Sequence, residues 1–493
     1  MKKIAVIGTG LSALSLAHHL PSLDITFFEK SWRPGGRIST RRHEDYTFDH
    51  GAHYIKEDHG VIGFNEYLEK IGATKILNGA FCSNIQNQSP VEEKRIIVGQ
   101  KGIESIPLEF HKKLRYQTEF STHIKKIKSR NHEYFLLTDD KEFGPYDFIF
   151  TCIPFEQSKN LLEDSREIIA ELLDSAPSEI VFTSGGTEAD NWTIKSLFDS
   201  KQPNNNLVTS NIEHEAVLAS AEWISSNGFQ TKYAKSDENG FVTKDEFIKQ
   251  IDDETKVASL MWGNNETGVI QPIKDISKEL KSINSSTLFH SDVVQGIISD
   301  NVDFHRNGIE SAAISAHKIG GPKGVGAMFV NNKFKLPSFL HGGKQELERR
   351  AGTVDVPGIA AFATALQEQQ TRFDEEVGLM NDERLIFEDK LKNALSVEII
   401  GESMKRLPHI SNVQFRDINS EVLLIQLDLN GLGVSRGSAC ASGAQKPSHV
   451  LQAMNIDSKF INNHLRFSFG WTTQAGDGSK AADIVMKAVK EIE

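Results

Sequence analysis

Residues 178–191, SEIVFTSGGTEADN, combine an apolar run, a glycine pair and a charged stretch. This order predicts a buried strand, a tight turn and a helix that begins near Glu188. Such a turn points several backbone N–H groups and the positive end of the helix dipole at one place. Gly186 and Thr187 are therefore candidates for binding a phosphate-sized anion. The alternative is a turn that only joins a strand to a helix.

The same alternation of apolar strands and helices continues from about Glu163 to the C-terminus. This pattern predicts an α/β fold with a mostly parallel sheet. At 493 residues the chain is too long for a single core, and its length predicts about three structural units.

The composition excludes several classes of protein. The formal net charge is −12 with both signs mixed along the chain, which argues against a nucleic-acid partner. The three cysteines, Cys82, Cys152 and Cys440, are widely spaced and predict neither a disulfide framework nor a CxxC metal site. We expect no metal and a reducing, cytoplasmic location. Glycines interrupt the apolar stretch of residues 1–20, which does not match a secretory signal, and no apolar run is long enough to predict a membrane-spanning helix.

Two reactive side chains stand among small residues in the second part of the chain. Lys318 lies in SAHKIGGPKGVGAMFV (315–330), and Cys440 lies in SRGSACASG (435–443). A lysine can hold a carbonyl cofactor and a thiolate can attack a substrate, so the pair predicts two-part covalent chemistry. Asp292, which follows an apolar segment, can pair with a protonated pyridine nitrogen. Each has an ordinary alternative: a solvated lysine, a small buried thiol and a helix cap.

The N-terminus carries a different pattern. Residues 3–29 predict a strand, a glycine turn, a helix and a second strand, with Gly8, Gly10 and Ala13 forming GxGxxA and Glu29 ending the second strand. Glycines let a pyrophosphate approach the helix N-terminus, and an acidic residue about 20 positions on can bind a ribose hydroxyl. The segment therefore predicts a dinucleotide site.

The segments EKSWRPGGRIST (29–40) and FDHGAHY follow this pattern. With them, residues 1 to about 160 resemble the flavin-binding start of the amine-oxidase and renalase-like FAD oxidoreductases. The resemblance implies that Gly35, Gly36 and Arg37 lie against the FAD diphosphate. A mobile turn is the alternative explanation of the glycine pair.

From about residue 163 to the end, the sequence is similar to the cysteine desulfurases, which are fold-type I enzymes of the class V aminotransferase family and use pyridoxal 5'-phosphate (PLP). The motifs SGGTEADN, NIEHEAV, NNETGVIQPI, HSDVVQG, SAHKIGGPKG, RRAGTVDV, SRGSACASG and LRFSFG stand at the spacing of that family. The resemblance implies a PLP-binding large domain over residues 161–370 and a small α+β domain with the cysteine loop over 371–493. A truncated FAD-binding Rossmann-like fragment over 1–160 precedes them.

The resemblance also implies a role for individual residues. Lys318 would form the covalent link to PLP, His214 would stack over the ring and assist proton transfer, and Cys440 would be the nucleophile. The remaining PLP contacts would be Gly186, Thr187, Ser315 and His317 at the phosphate, Asp292 at the pyridine nitrogen, Gln295 and Asn265 at the ring oxygen, and Thr353 in the neighbouring subunit's site. Asn265 would also contact the substrate, whose carboxylate would bind the guanidinium fork of Arg466.

The implied reaction converts L-cysteine to L-alanine and leaves the sulfur as a persulfide on Cys440. Small residues around Cys440 favour an accessible loop that delivers sulfur outward. The motif SRGSAC resembles that of the desulfurases that supply sulfur for iron–sulfur assembly. It implies an iron–sulfur scaffold or other sulfur-acceptor protein as partner, and the family implies a homodimer.

Each half also lacks something that its family has. Desulfurases begin with a segment that contains an Asn-Pro turn, and this chain has no Asn-Pro dipeptide. The flavin family has a late Gly-Asp motif, and the only Gly-Asp pair here, residues 476–477, stands in an unrelated context. Three interpretations follow: a desulfurase with a vestigial or regulatory flavoprotein piece, which we favour; an FAD-dependent oxidoreductase with a passenger domain; or an inactive fusion.

Overall fold

The computed structural model describes the chain apart from residues 1, 37, 44–45, 52–54, 57–63, 82–91, 102, 131–132, 153–154, 200–203, 417, 438–446 and 493. Arg37 and Cys440, to which the sequence assigns roles, lie outside the described residues. The chain divides into two compact units, Met1–Asn160 and Leu161–Glu493. No helix in the described part of the chain is long and apolar enough to cross a membrane.

The elements of the first unit are β1 (Lys3–Ile7), α1 (Leu11–His19), β2 (Asp24–Phe28), β3 (Ile38–His43), β4 (Tyr46–Gly51), β5 (Ile55–Lys56), α2 (Phe64–Lys70), β6 (Thr74–Phe81), β7 (Glu92–Gly99), α3 (Ser105–Leu114), β8 (Gln117–Glu119), β9 (Lys126–Arg130), β10 (Glu133–Leu137), β11 (Glu142–Tyr146) and β12 (Phe148–Thr151). Helix α4 (Phe155–Leu172) follows and crosses the boundary between the units.

A parallel sheet in the order β12–β1–β2–β8 forms the centre of the first unit. Its core contains Val6, Ala13, Phe27 and Phe110, all fully buried. The chain leaves β1 toward β2 and β8 on one side and returns at β12 on the other, so the strand order reverses at β1. In open α/β sheets, ligands bind at the carboxyl ends of the strands where this reversal occurs. The turn after β1 is the predicted glycine motif.

The elements of the second unit are β13 (Ile180–Thr183), α5 (Gly186–Ser196), β14 (Asn206–Ser210), α6 (Glu215–Ser226), β15 (Gln230–Ala234), α7 (Lys244–Ile248), β16 (Thr255–Ser259), α8 (Ile273–Ile283), β17 (Leu288–Asp292), α9 (Gly296–Ser299), β18 (Ser311–Ser315), β19 (Gly326–Val330), α10 (Val356–Thr371), α11 (Phe373–Ala394), β20 (Val397–Ile399), β21 (Ile410–Phe415), α12 (Ser420–Leu429), α13 (His449–Ala453), β22 (His464–Ser468) and α14 (Asp477–Ile492). Short 3₁₀ turns cover Pro177–Glu179, Ala316–Ile319 and Glu346–Glu348.

The large sheet of the second unit has the order β13–β19–β18–β17–β16–β14–β15. All of its strands run in the same direction except β19, which is antiparallel to both of its neighbours. Strands β14, β17, β18 and β19 are buried at every residue. Continuous burial is typical of a parallel sheet that is covered on both faces.

Helix α5 begins at Gly186, two residues before the predicted start near Glu188. Gly185 caps the helix with φ +149°, a backbone conformation that L side chains rarely adopt. The chain can therefore turn from β13 into the helix within two residues. As a result, Gly186 and Thr187 occupy the first turn of the helix rather than the loop before it.

A second core lies near the C-terminus. The antiparallel sheet β20–β21–β22 packs with α11, α12 and α14 around Phe387, Phe415, Leu423, Leu465 and Val485. Helices α10 and α11 meet at Arg372. The predicted division into residues 161–370 and 371–493 stays a prediction.

Candidate active site

The candidate residues of the second unit follow the carboxyl ends of neighbouring parallel strands. His214 comes after β14, Asp292 ends β17, and Ser315 ends β18 just before Lys318. Because the carboxyl ends of parallel strands lie at one edge of the sheet, these side chains meet. One ring nitrogen of His214 and one carboxylate oxygen each of Asp190 and Asp292 lie within 4.8 Å of one another.

Asp292 is almost fully buried, and one of its carboxylate oxygens accepts a hydrogen bond from the Val294 N–H at 2.9 Å. Burial raises the pKa of this carboxyl, while the nearby charges of His214 and Lys318 oppose the rise. A buried carboxylate of this kind is stabilised by a cation beside it. A protonated pyridine nitrogen is one such cation.

His214 caps helix α6, and its Nδ1 accepts the N–H of Ala216 at 3.2 Å. The ring therefore carries its proton on Nε2 when it is neutral. This bond fixes the ring orientation beside Asp292. The preceding residue, Glu213, is fully buried.

Lys318 lies in the 3₁₀ turn after β18, which ends at Gly320 with φ +82°. The side chain is exposed. Its ammonium is close enough to lower the pKa values of Asp292, His317 and His409. The amine is thus both accessible and directed to the cluster at the sheet edge.

The N-terminus of α5 lies against the end of β18. A Cβ on Gly185 would approach Ser315 Oγ to 3.8 Å, and one on Gly186 would meet a methyl group of Val294 at 2.8 Å. Ser315 Oγ and His317 Nδ1 are 2.8 Å apart. A helix N-terminus with a hydroxyl and an imidazole beside it has the donors that a phosphate needs.

Two side chains reach the site from the small sheet. Arg466 on β22 donates from Nη1 to the carbonyl oxygen of Asn265 at 2.8 Å. His409, just before β21, lies 3.1 Å from Oε1 of Gln295 through its Nε2. The predicted substrate-binding arginine is therefore hydrogen-bonded to Asn265, one of the two predicted ring-oxygen ligands, while the other, Gln295, contacts His409. The contact to Asn265 involves its backbone, not its side chain.

Cys440 lies outside the described residues, but the chain on both sides of it contacts Glu266. Ser448 Oγ donates to Glu266 Oε2 at 2.6 Å, and a Cβ on Gly437 would lie 2.7 Å from the same oxygen. His449 Nε2 lies 2.9 Å from the carbonyl oxygen of Glu213, next to the predicted ring-stacking histidine. Both ends of the cysteine segment are thus held beside the candidate site.

Thr353 lies on the exposed segment before α10. In the described part of the chain, no hydrogen bond connects it to Lys318, Asp292 or His214. Its neighbour Arg350 instead forms a two-pronged ion pair with Glu188 in the first turn of α5, at 2.9 and 3.0 Å.

In the first unit, two glycine turns contact each other. Gly8 has φ +98°, and Gly10 caps α1 with open space around its Cβ position. A Cβ on Gly36 would lie 3.4 Å from the Cα of Gly10, and the Gly35 N–H donates to the Thr9 carbonyl at 3.2 Å. The two predicted diphosphate contacts therefore lie side by side.

Glu29 is buried and its carboxylate is held by the chain itself. Oε2 accepts from the N–H and the hydroxyl of Thr9 at 3.0 and 2.5 Å, and Oε1 accepts from the Ser31 N–H at 2.9 Å. Through its hydrogen bonds to Thr9, Glu29 thus stabilises the glycine turn. Ala13, fully buried on α1, lets the helix pack closely on the sheet.

A cavity of about 430 Å³ adjoins the second glycine turn. Arg33 in its wall forms an ion pair with the buried Glu104 at 2.7 Å and lies over the ring of Trp32. The residues that line the cavity are Lys30, Ser31, Trp32, Arg33, Pro34, Gly35, Gly36, Glu104 and Ser121. The cavity is lined by both charged and aromatic groups.

Comparison with known families gives one match for each unit. The family described as "Aminotransferase class-V" matches residues 154–477, and the family described as "NAD(P)-binding Rossmann-like domain" matches residues 6–64. A cysteine desulfurase IscS from Methanosarcina thermophila is 36% identical over 340 residues, which cover 68% of this chain and 83% of the relative. The chain belongs to the cysteine desulfurases of the class V aminotransferase family.

Further relatives agree with this assignment. The cysteine desulfurase IscS of Dictyoglomus turgidum is 35% identical over 338 residues, which cover 68% of this chain and 85% of the relative. A solved structure titled "NIFS-LIKE PROTEIN" superposes with a TM-score of 0.64 at 31% identity, and the match covers 68% of this chain and 89% of that structure. The predicted α/β fold, a Rossmann-like domain followed by a fold-type I PLP transferase, is confirmed, as is the predicted enzyme class. The NAD(P)-binding match supports the Rossmann-like domain without distinguishing its nucleotide.

The described residues of this desulfurase fit PLP. The α5 N-terminus with Ser315 and His317 suits a phosphate, and the buried Asp292 suits a protonated ring nitrogen. Lys318 is accessible for a covalent link to an aldehyde.

The structure adds residues that the sequence argument did not identify. Asp190 lies in the site, on α5, four residues after Gly186. One of its carboxyl oxygens is hydrogen-bonded to Nε2 of His290 at 3.0 Å. Burial and the nearby acidic groups raise the Asp190 pKa, and burial lowers the His290 pKa to about 3. The helical spacing in SGGTEADN could have indicated Asp190. Glu266 lies in the motif NNETGVIQPI, which could have indicated it, whereas no sequence signal pointed to His409.

Proposed function

We propose that this cysteine desulfurase uses Lys318 to hold PLP and Cys440 to accept sulfur, converting L-cysteine to L-alanine. The observation that supports this proposal is the convergence of His214, Asp292 and Lys318 at one edge of the parallel sheet. The proposed binding residues divide by chemistry. Gly186, Thr187, Ser315 and His317 hold the phosphate, and Asn265 and Gln295 face the ring oxygen.

PLP, when bound, supplies an electrophilic carbonyl carbon joined to a ring that can take up electrons. The chain contributes the groups around it. Asp292 would place its negative charge at the ring nitrogen, and His214, whose ring orientation is fixed by the Ala216 N–H, would stack on the ring. Arg466 binds the carboxylate of L-cysteine through its guanidinium fork, which orients the substrate.

Lys318 moves the α proton of the substrate once its amine is free. The thiolate of Cys440 then attacks the sulfur of the bound cysteine. A new S–S bond forms while the C–S bond of the substrate breaks, and its electron pair stays on the carbon side, which takes up protons and leaves as alanine. Cys440 is left as a persulfide, ready for transfer to an acceptor thiol.

Spectroscopy and product analysis test this proposal. PLP-loaded protein should show a visible absorbance that Lys318→Ala abolishes, and Cys440→Ser should keep the absorbance but lose sulfide release. Lys323→Ala, an exposed lysine of the same turn, is the matched control and should keep both. Protein that binds no PLP, or a Lys318→Ala variant that releases alanine at the original rate, would contradict the assignment.

We further propose that the enzyme works in the cytoplasm as a homodimer, with Thr353 completing the neighbouring subunit's site. Its exposure is compatible with contact across an interface. The sulfur acceptor is proposed to be an iron–sulfur scaffold or another sulfur-carrier protein. Analytical ultracentrifugation tests the dimer. A Thr353→Ala chain mixed with a Lys318→Ala chain should regain activity only if sites are shared between subunits.

For residues 1–160 we propose an FAD site formed by Gly8, Gly10, Glu29, Gly35 and Gly36, together with Ala13 and Arg37. The adjacent glycine turns support it, because both allow a diphosphate to approach the α1 N-terminus. Purified protein supplied with FAD should retain a flavin spectrum that Gly10→Val abolishes. Protein that retains no FAD would contradict the proposal. Reduction of bound flavin by cysteine or an amine would favour the oxidoreductase alternative, and PLP-loaded protein without turnover would favour an inactive fusion.

A further inference from the structure

A buried histidine connects the small sheet to the cofactor end of the large sheet. His409, 3% exposed, precedes β21. Its Nδ1 lies 2.6 Å from the hydroxyl of Ser299 on α9, and its Nε2 lies 3.1 Å from Oε1 of Gln295. Both partners belong to the segment that directly follows β17, the strand that ends at Asp292.

The protonation state of His409 follows from its surroundings. Burial, together with the smaller effect of the charges of Arg466, Lys318 and Arg384, lowers its pKa to about 3. The ring is therefore neutral near pH 7 and has a single N–H. Because Oε1 of Gln295 can only accept, that proton lies on Nε2, and the hydroxyl of Ser299 donates to Nδ1.

In this arrangement one end of the Gln295 amide faces His409 and the other is left for the cofactor. Its oxygen is occupied by His409, and among the described residues none accepts a hydrogen bond from its nitrogen. A deprotonated ring oxygen needs a donor and is repelled by a carbonyl oxygen. A glutamine that could flip would present the wrong group part of the time.

We propose that His409 is a positioning residue that fixes the side-chain amide of Gln295, so that its N–H groups and not its oxygen face the ring oxygen of PLP. This inference rests on the proposed function, in which Gln295 binds that oxygen. The carbonyl of His409 also accepts the N–H of Phe469, three residues after Arg466. The amide-orienting histidine thus lies just before the start of β21, which pairs with the strand β22 that carries the proposed substrate-carboxylate ligand.

Cofactor binding tests the proposal without depending on turnover. His409→Ala should weaken PLP binding about tenfold and shift the visible absorbance maximum, because one hydrogen bond to a charged oxygen is lost or inverted. His409→Gln should restore most of the affinity, since its amide nitrogen can donate to the same oxygen. Ser299→Ala should give an intermediate effect, because Nδ1 loses the donor that holds the tautomer.

His464 provides a matched control. It is also 3% exposed in the small sheet, its pKa is lowered by burial to about 4, and its Nδ1 bonds Asn412 Oδ1 at 3.0 Å. His464→Ala should lower stability as much as His409→Ala but leave the PLP spectrum and affinity unchanged.

The outcomes separate this inference from the proposed function. Wild-type protein that takes up no PLP contradicts the proposed function itself. If the wild type binds PLP, a His409→Ala variant with wild-type affinity and spectrum overturns only the inference. So does a His464→Ala variant with the same PLP defect, because the effect then follows from general loss of packing. Should His409→Ala not fold, the Ser299→Ala and His409→Gln variants decide the matter through the same two measurements.

Discussion

At the scale of single residues, Glu213 shows how burial changes the chemistry next to the site. Its Oε1 accepts from the Ser210 hydroxyl at 2.8 Å and from the Met261 N–H at 2.9 Å. Its Oε2 has no hydrogen-bond partner in the described part of the chain. Burial raises its pKa to about 8, so the side chain is a neutral acid near pH 7. A neutral Glu213 adds no second negative charge beside Asp292.

This protonation predicts a pH-dependent stability. The unfolded carboxyl loses its proton near its ordinary pKa of 4.5, whereas the folded one keeps it to about 8. Stability should therefore fall as pH rises between these values, by up to about 1.4 kcal/mol per pH unit, and level off above them. Glu213→Gln keeps the acceptor oxygen but cannot titrate. Urea unfolding from pH 5 to pH 8, at matched PLP content, should show the wild type losing stability relative to the variant. Parallel curves would contradict the prediction.

At the scale of residues, the sequence identifies some side chains of the candidate site and misses others. The apolar segment before Asp292 and the small residues around Lys318 indicate these two side chains, the resemblance to the desulfurases implies His214, and the structure brings the three together. Their catalytic roles stay predictions. His409 could not be found this way, because its contact with Ser299 joins residues 110 positions apart and depends on how the small sheet packs.

At the scale of elements, the turn from β13 into α5 controls the proposed phosphate site. Gly185→Ala should cost about 1–2 kcal/mol of stability and weaken PLP binding, because a Cβ is strained at φ +149°. Gly378→Ala in α11, where a Cβ meets nothing within 4 Å, is the control. It should stabilise the protein by about 0.5–1 kcal/mol and leave PLP affinity unchanged. Thermal unfolding and PLP titration measure both effects, and equal behaviour of the two variants would refute this account of the turn.

A buried ion pair joins α4 to the segment before α10. Arg166 contacts both carboxylate oxygens of Glu346 at 2.8 and 3.0 Å, and Glu346 also accepts the Phe182 N–H at 2.9 Å. Arg166→Met should destabilise the unit by about 3–5 kcal/mol, because it leaves a buried carboxylate without its cation. Lys459→Met, which breaks an exposed pair with Asp457, should change stability by less than about 1 kcal/mol. Guanidinium unfolding distinguishes them, and similar losses would argue against burial as the cause.

The start of α5 shows the limit of pattern reasoning for elements. The sequence predicted the strand, turn and helix in the right order but placed the helix start near Glu188. The pattern predicts a turn over both glycines, and glycine is indeed a poor helix former. The cap at Gly185 overrides that preference, because its positive φ directs the chain into the helix at once.

At the scale of the whole molecule, the hydrophobic cores of the desulfurase unit are formed by residues of that unit. Among the described residues, the buried apolar residues of the large-sheet and small-sheet cores come from Leu162 onward. A chain of residues 155–493, which starts at α4, should therefore fold and bind PLP. Its alanine release should be within about twofold of the full chain, since each core is kept whole. A fragment that is insoluble or PLP-free, beside an active full chain, would show that the first unit is required.

Fold class at this scale was predictable, because buried parallel strands alternating with helices leave few other architectures. The nucleotide of the first unit was not. Glycine turns and an acidic strand end are common to several dinucleotide sites, and Glu29 here bonds Thr9 and Ser31.

The central claim is that sulfur passes from L-cysteine to Cys440 at a site organised by Lys318. Mass spectrometry of the peptide containing Cys440, after PLP-loaded protein has reacted with L-cysteine, tests it most directly. We predict a gain of one sulfur atom that a reducing thiol removes and that Lys318→Ala prevents. Alanine and sulfide formed without any added sulfur on that peptide would contradict the account.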